Sequence, residues 1–148
     1  MTKIQESLYK DIVKSIPLLC IDLVIDCYKN RNQKGYLLVK RCQEPLMGEW
    51  WVPGGRVYQG EDIFVSAKRK LEEETGLKKK EKEMTLMGIY QDIFECSSFG
   101  KHAYHTVSIV FNLNVDIQKE EIRLDNTSKE WIISDKLPER LLNKFITF

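Results

Sequence analysis

The sequence predicts an α+β fold, a mixed β-sheet with helices on its faces. Three observations carry that expectation. Apolar periodicity runs helix, strands, helix, strands, helix along the chain. The length of 148 residues suits one domain spanning 1–148, with no internal repeat and no linker. A composition of 43% hydrophobic and 30% charged residues supplies a core and excludes a disordered chain.

The elements follow in order. Ile4, Leu8, Ile12 and Val13 stand at helical spacing, so a helix is expected over about 4–16, ended by Pro17. Leu18 to Tyr28 and Gly35 to Arg41 read as two strands joined by the polar turn KNRNQKG, hence a hairpin. Glu49 to Val52 is a short aromatic strand running into Pro53-Gly54-Gly55. One of Trp50 and Trp51 is expected to pack inward. Asp62 to Thr75 is helical, with Phe64, Ala67 and Leu71 as its apolar stripe and Gly76 as its stop. Leu77 to Glu83 reads as a solvated loop. Met84 to Phe94 and Ala103 to Val115 read as long strands, joined by the loop ECSSFGKH. A loop over Asp116 to Lys129 leads to the strand Glu130 to Ile133, and a helix from Pro138 to Phe145 closes the chain.

Composition also excludes function classes. Lys and Arg number 23 against 22 Asp and Glu, a formal charge of +1, so no large positive field is available to hold nucleic acid. The longest apolar-rich stretch, Ile16 to Cys27, is interrupted by Asp22 and Asp26 and is too short to span a membrane. The N-terminus has no signal-peptide pattern. Cys20, Cys27, Cys42 and Cys96 form no CxxC pair and stand at no zinc-like spacing from a histidine. Reduced thiols of a cytoplasmic protein are expected.

The chemistry concentrates between Pro53 and Leu77. Pro53-Gly54-Gly55 permits a tight turn that exposes carbonyls to a ligand. The following helix carries Glu73 and Glu74 in its last turn, beside the apolar stripe, with Glu72 turned to solvent. Two adjacent carboxylates near free carbonyls suit a hard cation such as Mg²⁺. Acidic residues at a helix C-terminus also oppose the macrodipole, a conflict that a bound cation removes. The bland alternative is an acidic surface.

The run GRVYQGEDIFVSAKRKLEEETGL, from Gly55 to Leu77, resembles the Nudix box through Gly55, Glu61, Arg69, Leu71, Glu73, Glu74, Gly76 and Leu77. The resemblance implies the Nudix α/β/α sandwich and hydrolysis of a nucleoside diphosphate linked to another group, with Mg²⁺ or Mn²⁺. It implies that Gly54 lends a backbone carbonyl to the metal and that Glu73 and Glu74 lend carboxylates. It also implies that Arg69 and Glu61 orient them through ion pairing. Lys70 is the exception, standing where the family usually has glutamate. Its charge lies at i+3 and i+4 from Glu73 and Glu74, so fewer metal ions are expected, down to one. It also removes a carboxylate that often serves as base.

A second resemblance covers SIPLLCIDLVID, YLLVKRCQEPLMGEWWVPGGRV and MGIYQDIF, which are similar to the GDP-mannose mannosyl hydrolase branch. That branch cleaves at the anomeric carbon of a nucleotide sugar. By position, Asp22 and Arg41 would contact substrate, Arg56 would stabilise the departing diphosphate, and Glu74 would be the principal metal ligand. A Gln-His pair of the branch falls at Asp125 and Asn126. Asp125 retains the capacity to bind metal; Asn126 cannot act as a base. Asp125, Asp92, Glu120 and Glu121 are the substitute acids. Tyr104 shares a strand face with Thr106 and is either a base-stacking residue or core. His102 and His105, which flank it, are expected to be structural. The N-terminal helix either joins a homodimer, as in the resembling branch, or packs on its own subunit.

The expectation is therefore a Mg²⁺-dependent hydrolase of nucleoside diphosphate-linked compounds, with a nucleotide sugar such as GDP-mannose first. The alternatives are a pyrophosphohydrolase of nucleoside triphosphates or ADP-ribose, and a nucleotide-binding module without turnover.

Overall fold

The computed structural model describes residues 4–147. Helix α1 (Glu6–Ser15) is shorter than the expected span of 4–16. Ile16 already has extended backbone, which is the conformation Pro17 imposes on its predecessor. Strands β1 (Leu18–Lys29) and β2 (Asn32–Arg41) form the expected hairpin, but most of KNRNQKG belongs to the strands. Only Asn30 and Arg31 form the turn, both with positive φ of 52° and 62°. That is the geometry of a two-residue turn whose twist matches its strands. The polar residues on either side are solvent-exposed, so their polarity marked exposure and not a loop.

Next come β3 (Trp50–Trp51), β4 (Gly54–Arg56) and helix α2 (Ile63–Thr75). The side chain of Asp62 caps α2 by accepting from the N–H groups of Phe64 and Val65. A single 3₁₀ turn at Glu81–Glu83 interrupts the expected loop. Strands β5 (Met84–Phe94), β6 (Tyr104–Asp116) and β7 (Ser128–Ser134) follow. Strand β7 begins two residues before the expected start at Glu130.

The eight strands form one mixed sheet, ordered β3-β2-β1-β6-β5-β8, with β4 paired to β1 and β7 paired to β2. Strands β1 and β6 run parallel from Leu18 opposite Thr106 to Tyr28 opposite Asp116. The other pairings are antiparallel. One edge of β1 is therefore taken by β6. Its other edge is divided: Asp26 to Lys29 pair with β2, while Cys20 to Asp22 pair with β4. Beyond Asp26 the hairpin strands separate, and the segment from Trp50 to Arg56 enters the fork. It pairs first with Val39 and Lys40 of β2 and then with β1. The sequence reading placed a turn at Gly54-Gly55, where the structure has β4.

Alternation along β1 divides the core. Ile21, Leu23 and Ile25 face α2 and pack with Leu37, Ala67, Leu71 and Phe111. Val24 faces the other layer with Leu38, Trp51, Tyr90, Val110 and Leu141. A third cluster, Val13, Leu18 and Cys20 with Tyr9, Phe99 and Tyr104, lies under α1. Helix α1 thus packs on its own chain through Tyr9, Ile12 and Val13, while Leu8 is exposed. Trp51 is the buried tryptophan of its pair. No helix among the described residues is long and apolar enough to cross a membrane.

The C-terminus departs from expectation. The helix foreseen from Pro138 to Phe145 is a single turn, α3 (Glu139–Leu142), and the chain then forms β8 (Phe145–Thr147) against β5. Asp92 fixes this arrangement. Its side chain is wholly buried and accepts from the Tyr90 hydroxyl (2.5 Å), Arg140 Nε and Lys144 Nζ. Burial alone would raise its pKa. The Arg140, Lys144 and Tyr90 hydrogen bonds outweigh burial and bring it to about 2. Asp92→Asn is expected to lower the unfolding free energy by roughly 2–3 kcal/mol, the scale of losing hydrogen bonds to a charged group. Urea denaturation followed by circular dichroism measures it.

Candidate functional site

The site begins with the two glycines of β4. The Leu23 N–H donates to the Pro53 carbonyl and the Val57 N–H to the Leu19 carbonyl. By strand alternation, Gly54 and Arg56 turn their backbone groups away from β1 and towards α2. The Gly54 N–H donates to Glu74 Oε2 (3.0 Å), and the Arg56 carbonyl accepts from Arg69 Nη2 (3.1 Å). The Gly54 carbonyl lies on that same side. A Cβ on Gly54 would fall 2.3 Å from the Ile21 carbonyl oxygen and 2.5 Å from Asp22 Oδ1. A Cβ on Gly55, whose φ is +150°, would fall 2.5 Å from Lys70 Cε. Gly54 has no room for a side chain, and at Gly55 a Cβ would displace the flexible end of Lys70 in a backbone conformation that L residues rarely adopt.

The three glutamates at the end of α2 differ as the helical geometry predicts. Glu74 is buried, the Glu73 side chain is 42% exposed and Glu72 faces solvent. Arg69 organises them. Its Nε and Nη2 donate to the two oxygens of Glu61 (2.7 and 2.8 Å), and its Nη1 donates to Glu73 Oε2 (3.1 Å). Its guanidinium also lies 4.0 Å from the Tyr58 ring. The bidentate Arg69 pair holds the Glu61 carboxyl down at about 2. Lys70 Nζ stands 3.2 Å from Glu73 Oε2 and 3.2 Å from Glu74 Oε1. Burial works against the Lys70 charge, but the Glu74 and Glu73 carboxylates outweigh it and raise its pKa. Burial raises the Glu74 pKa, against the pull of Lys70 and the Gly54 N–H.

This donor set fits one hard cation. Two adjacent carboxylates already share the Lys70 ammonium, with Arg69 also on Glu73, and the Gly54 carbonyl is on their side of β4. It does not fit a cation with Lys70 in its present place, because the ammonium fills the space between the two carboxylates. Among the described residues, no three His, Cys, Asp or Glu side chains converge as a metal cage. Asp125 acts electrostatically on Glu74, while its Oδ1 accepts from the Thr127 N–H (2.8 Å) and hydroxyl (2.6 Å). Asn126 is exposed.

The other expected residues gather on the adjoining flank. The charges of Asp22, Lys70, Arg56 and Arg41 all act on Cys20, whose thiol burial pushes up to about 12. Burial pushes Asp22 up to about 6, against Ser108 hydrogen bonding and the Arg41 charge. Arg41 Nε donates to the Pro45 carbonyl (2.7 Å). The Arg56 guanidinium lies 4.1 Å from the Tyr9 ring and 5.4 Å from the Tyr58 ring. Among the described residues no carboxylate pairs with it. Tyr104 packs with the α1 cluster, its ring 6.1 Å from Phe94.

Three of the substitute acids are engaged elsewhere. Asp92 is the hub that holds α3 and β8, Glu120 pairs with Lys79 (2.7 Å) and Glu121 pairs with Arg123 (2.7 Å). His102 meets the Ser97 hydroxyl (2.9 Å), and the buried Nε2 of His105 has no partner among the described residues. Two aromatic residues of the site escaped the sequence reading. Tyr9 stands three and four residues before Ile12 and Val13, so helical spacing already placed it on their stripe. Tyr58 carried no such signal. A cavity of about 570 Å³ lies apart, lined by Leu38, Leu46, Trp50, Ile132, Leu137 and Arg140 among others. None of the expected site residues lines it.

Known proteins share these features. The pattern of the NUDIX domain family matches residues 22–144. The low-salt glycan biosynthesis protein Agl8 of Haloferax volcanii is 30% identical over 134 residues, 83% of this chain and 80% of its own. An ADP-ribose pyrophosphatase of Methanocaldococcus jannaschii is 32% identical over 114 residues, 77% of this chain and 59% of its own. In fold, the chain is similar to the NUDIX domain of Shewanella oneidensis NrtR, solved with ADP ribose. The TM-score is 0.61 at 18% identity, covering 97% of this chain and 90% of that one.

The Glu61–Arg69 pair has a definite pH signature. The folded carboxyl titrates at about 2 against an ordinary 4.5. A depressed folded value gives stability that is complete above the ordinary value and is lost as pH falls through the folded one. The Tm difference between wild type and Glu61→Gln is expected to be constant above about pH 5 and to shrink towards pH 2. Thermal melts followed by circular dichroism across that range check it.

Proposed function

The chain belongs to the NUDIX domain family, and from that premise we propose that it is a Mg²⁺-dependent hydrolase of a nucleotide sugar, with GDP-mannose the first substrate to test. The observation that carries this reading is the carboxylate pair at the end of α2, buried Glu74 and partly exposed Glu73, bridged by the Lys70 ammonium. The relative named for glycan biosynthesis, matched over 80% of its length, supports a sugar-linked substrate.

In this mechanism Glu73, Glu74 and the Gly54 carbonyl would hold the ion once Lys70 leaves the carboxylates, and Asp125, which acts electrostatically on Glu74, would join them as a further ligand by moving closer. The bound Mg²⁺ supplies neutralising charge to the diphosphate leaving group. The chain's own residues do the rest. The Gly54 N–H aims Glu74, and Arg69, braced by Glu61, aims Glu73. Arg56 is held by stacking rather than by a carboxylate, so its donors remain available to phosphate oxygens. Arg41 and Asp22 contact the substrate on the same flank. Of the four substitute acids, Asp125 is the one without an ion pair among the described residues, since Asp92, Glu120 and Glu121 are each paired, and it takes the base role in this reading.

A second reading has its own support: the ADP-ribose pyrophosphatase relative favours attack at phosphorus. Products decide between them. GDP plus mannose supports attack at the anomeric carbon. GMP plus mannose 1-phosphate rejects that branch and keeps a pyrophosphohydrolase. Glu74→Gln is expected to reduce turnover to background in a Mg²⁺-supplemented assay of nucleotide sugars, ADP-ribose and triphosphates. Full activity in that variant removes the carboxylate pair from the mechanism. No Mg²⁺-dependent turnover of any substrate by wild type favours a binding module.

A further inference from the structure

We propose that Lys70 is the resident cation of this site. In the free protein its ammonium holds Glu73 and Glu74, and a divalent ion gains them only together with a diphosphate that draws the ammonium away. This rests on the reading that the carboxylate pair is the metal site.

The geometry is specific. Lys70 Nζ is equidistant, at 3.2 Å, from one oxygen of each glutamate. The side chain is only 14% exposed, and its end fills the bay left by the missing side chain of Gly55. The i+3 and i+4 spacing on α2 brings the ammonium to both carboxylates without any backbone adjustment. An ammonium tethered on the same helix is always present, so a divalent ion must displace it and cannot simply occupy a vacant site.

Charge decides when displacement is favourable. Two carboxylates and one ammonium sum to one negative charge. Adding a divalent ion while the ammonium stays would put three positive charges between the same two carboxylates, with the Arg69 guanidinium already on Glu73. A diphosphate supplies the missing negative charge. Lys70, Arg56 and Arg41 all act on Cys20, so the ammonium already borders the flank where the diphosphate is expected. Its flexible four-carbon stem permits re-aiming from carboxylate to phosphate oxygen. Metal and diphosphate then raise each other's affinity by one common factor, as linkage requires.

The test uses Mn²⁺ with the full chain, reading free Mn²⁺ by electron paramagnetic resonance without nucleotide. Lys70→Met and Lys70→Gln, checked for folding by circular dichroism, are expected to tighten Mn²⁺ binding by about tenfold or more, within the usual range of coupling between ligands. Adding Glu74→Gln to Lys70→Met is expected to abolish that gain. Mn²⁺ affinity equal to wild type in both folded lysine variants overturns the proposal. So does a gain that survives Glu74→Gln. In a second arm, water-proton relaxation reads binding of Mn²⁺–GDP. Wild type is expected to hold Mn²⁺ far more tightly with GDP than without. If the lysine variants gain Mn²⁺ affinity but GDP changes nothing in wild type, Lys70 keeps its hold on the carboxylates and the nucleotide diphosphate reading fails.

Discussion

Everything at the site depends on the parting of β1 and β2. The two strands stay paired from the turn as far as Asp26 and Tyr36, and then the chain inserts its own Trp50–Arg56 segment between them. That insertion leaves no lateral room. Ile21 and Asp22 press on one side of Gly54, and Lys70 presses on Gly55 from the other. The bare Gly54 lets β4 lie close against β1, the bare Gly55 leaves the space that the Lys70 side chain of α2 fills, and the Gly54 N–H meets Glu74.

Electrostatics then grade the same residues. Arg69 spends both edges of its guanidinium on neighbours, tying Glu61, Glu73 and the Arg56 carbonyl into one frame. Arg56 does the opposite: aromatic rings hold it and its hydrogen-bonding edge stays free. One arginine is structural and the other is available, although both occupy the same stretch of chain. The overall charge of +1 conceals this contrast, because it averages paired and unpaired charges alike.

Much of this was legible from residue order. The hairpin, the long strands β5 and β6, and the α2 span with Asp62 and Gly76 at its ends follow from periodicity and capping. Glu73 and Glu74 followed from their angle beside Phe64, Ala67 and Leu71. Strand β4 was hidden because glycines carry no alternation and read as a turn. Strand β8 was hidden because three residues are too few to show a period, and it forms only where β5 offers an edge. Asp92 read as an available acid because nothing local foretells Arg140 and Lys144, some fifty residues away in sequence. Such long-range pairing is invisible to spacing rules.

Tyr9 is one of the residues that join α1 to the rest of the chain, through Phe99 and Arg56. Helix α1 precedes the region 22–144 that defines the family, yet its ring stacks on Arg56 inside that region. The guanidinium is thus inherited with the domain but aimed by an appendage. Two chains with identical boxes and different first helices would share the charge and not its orientation.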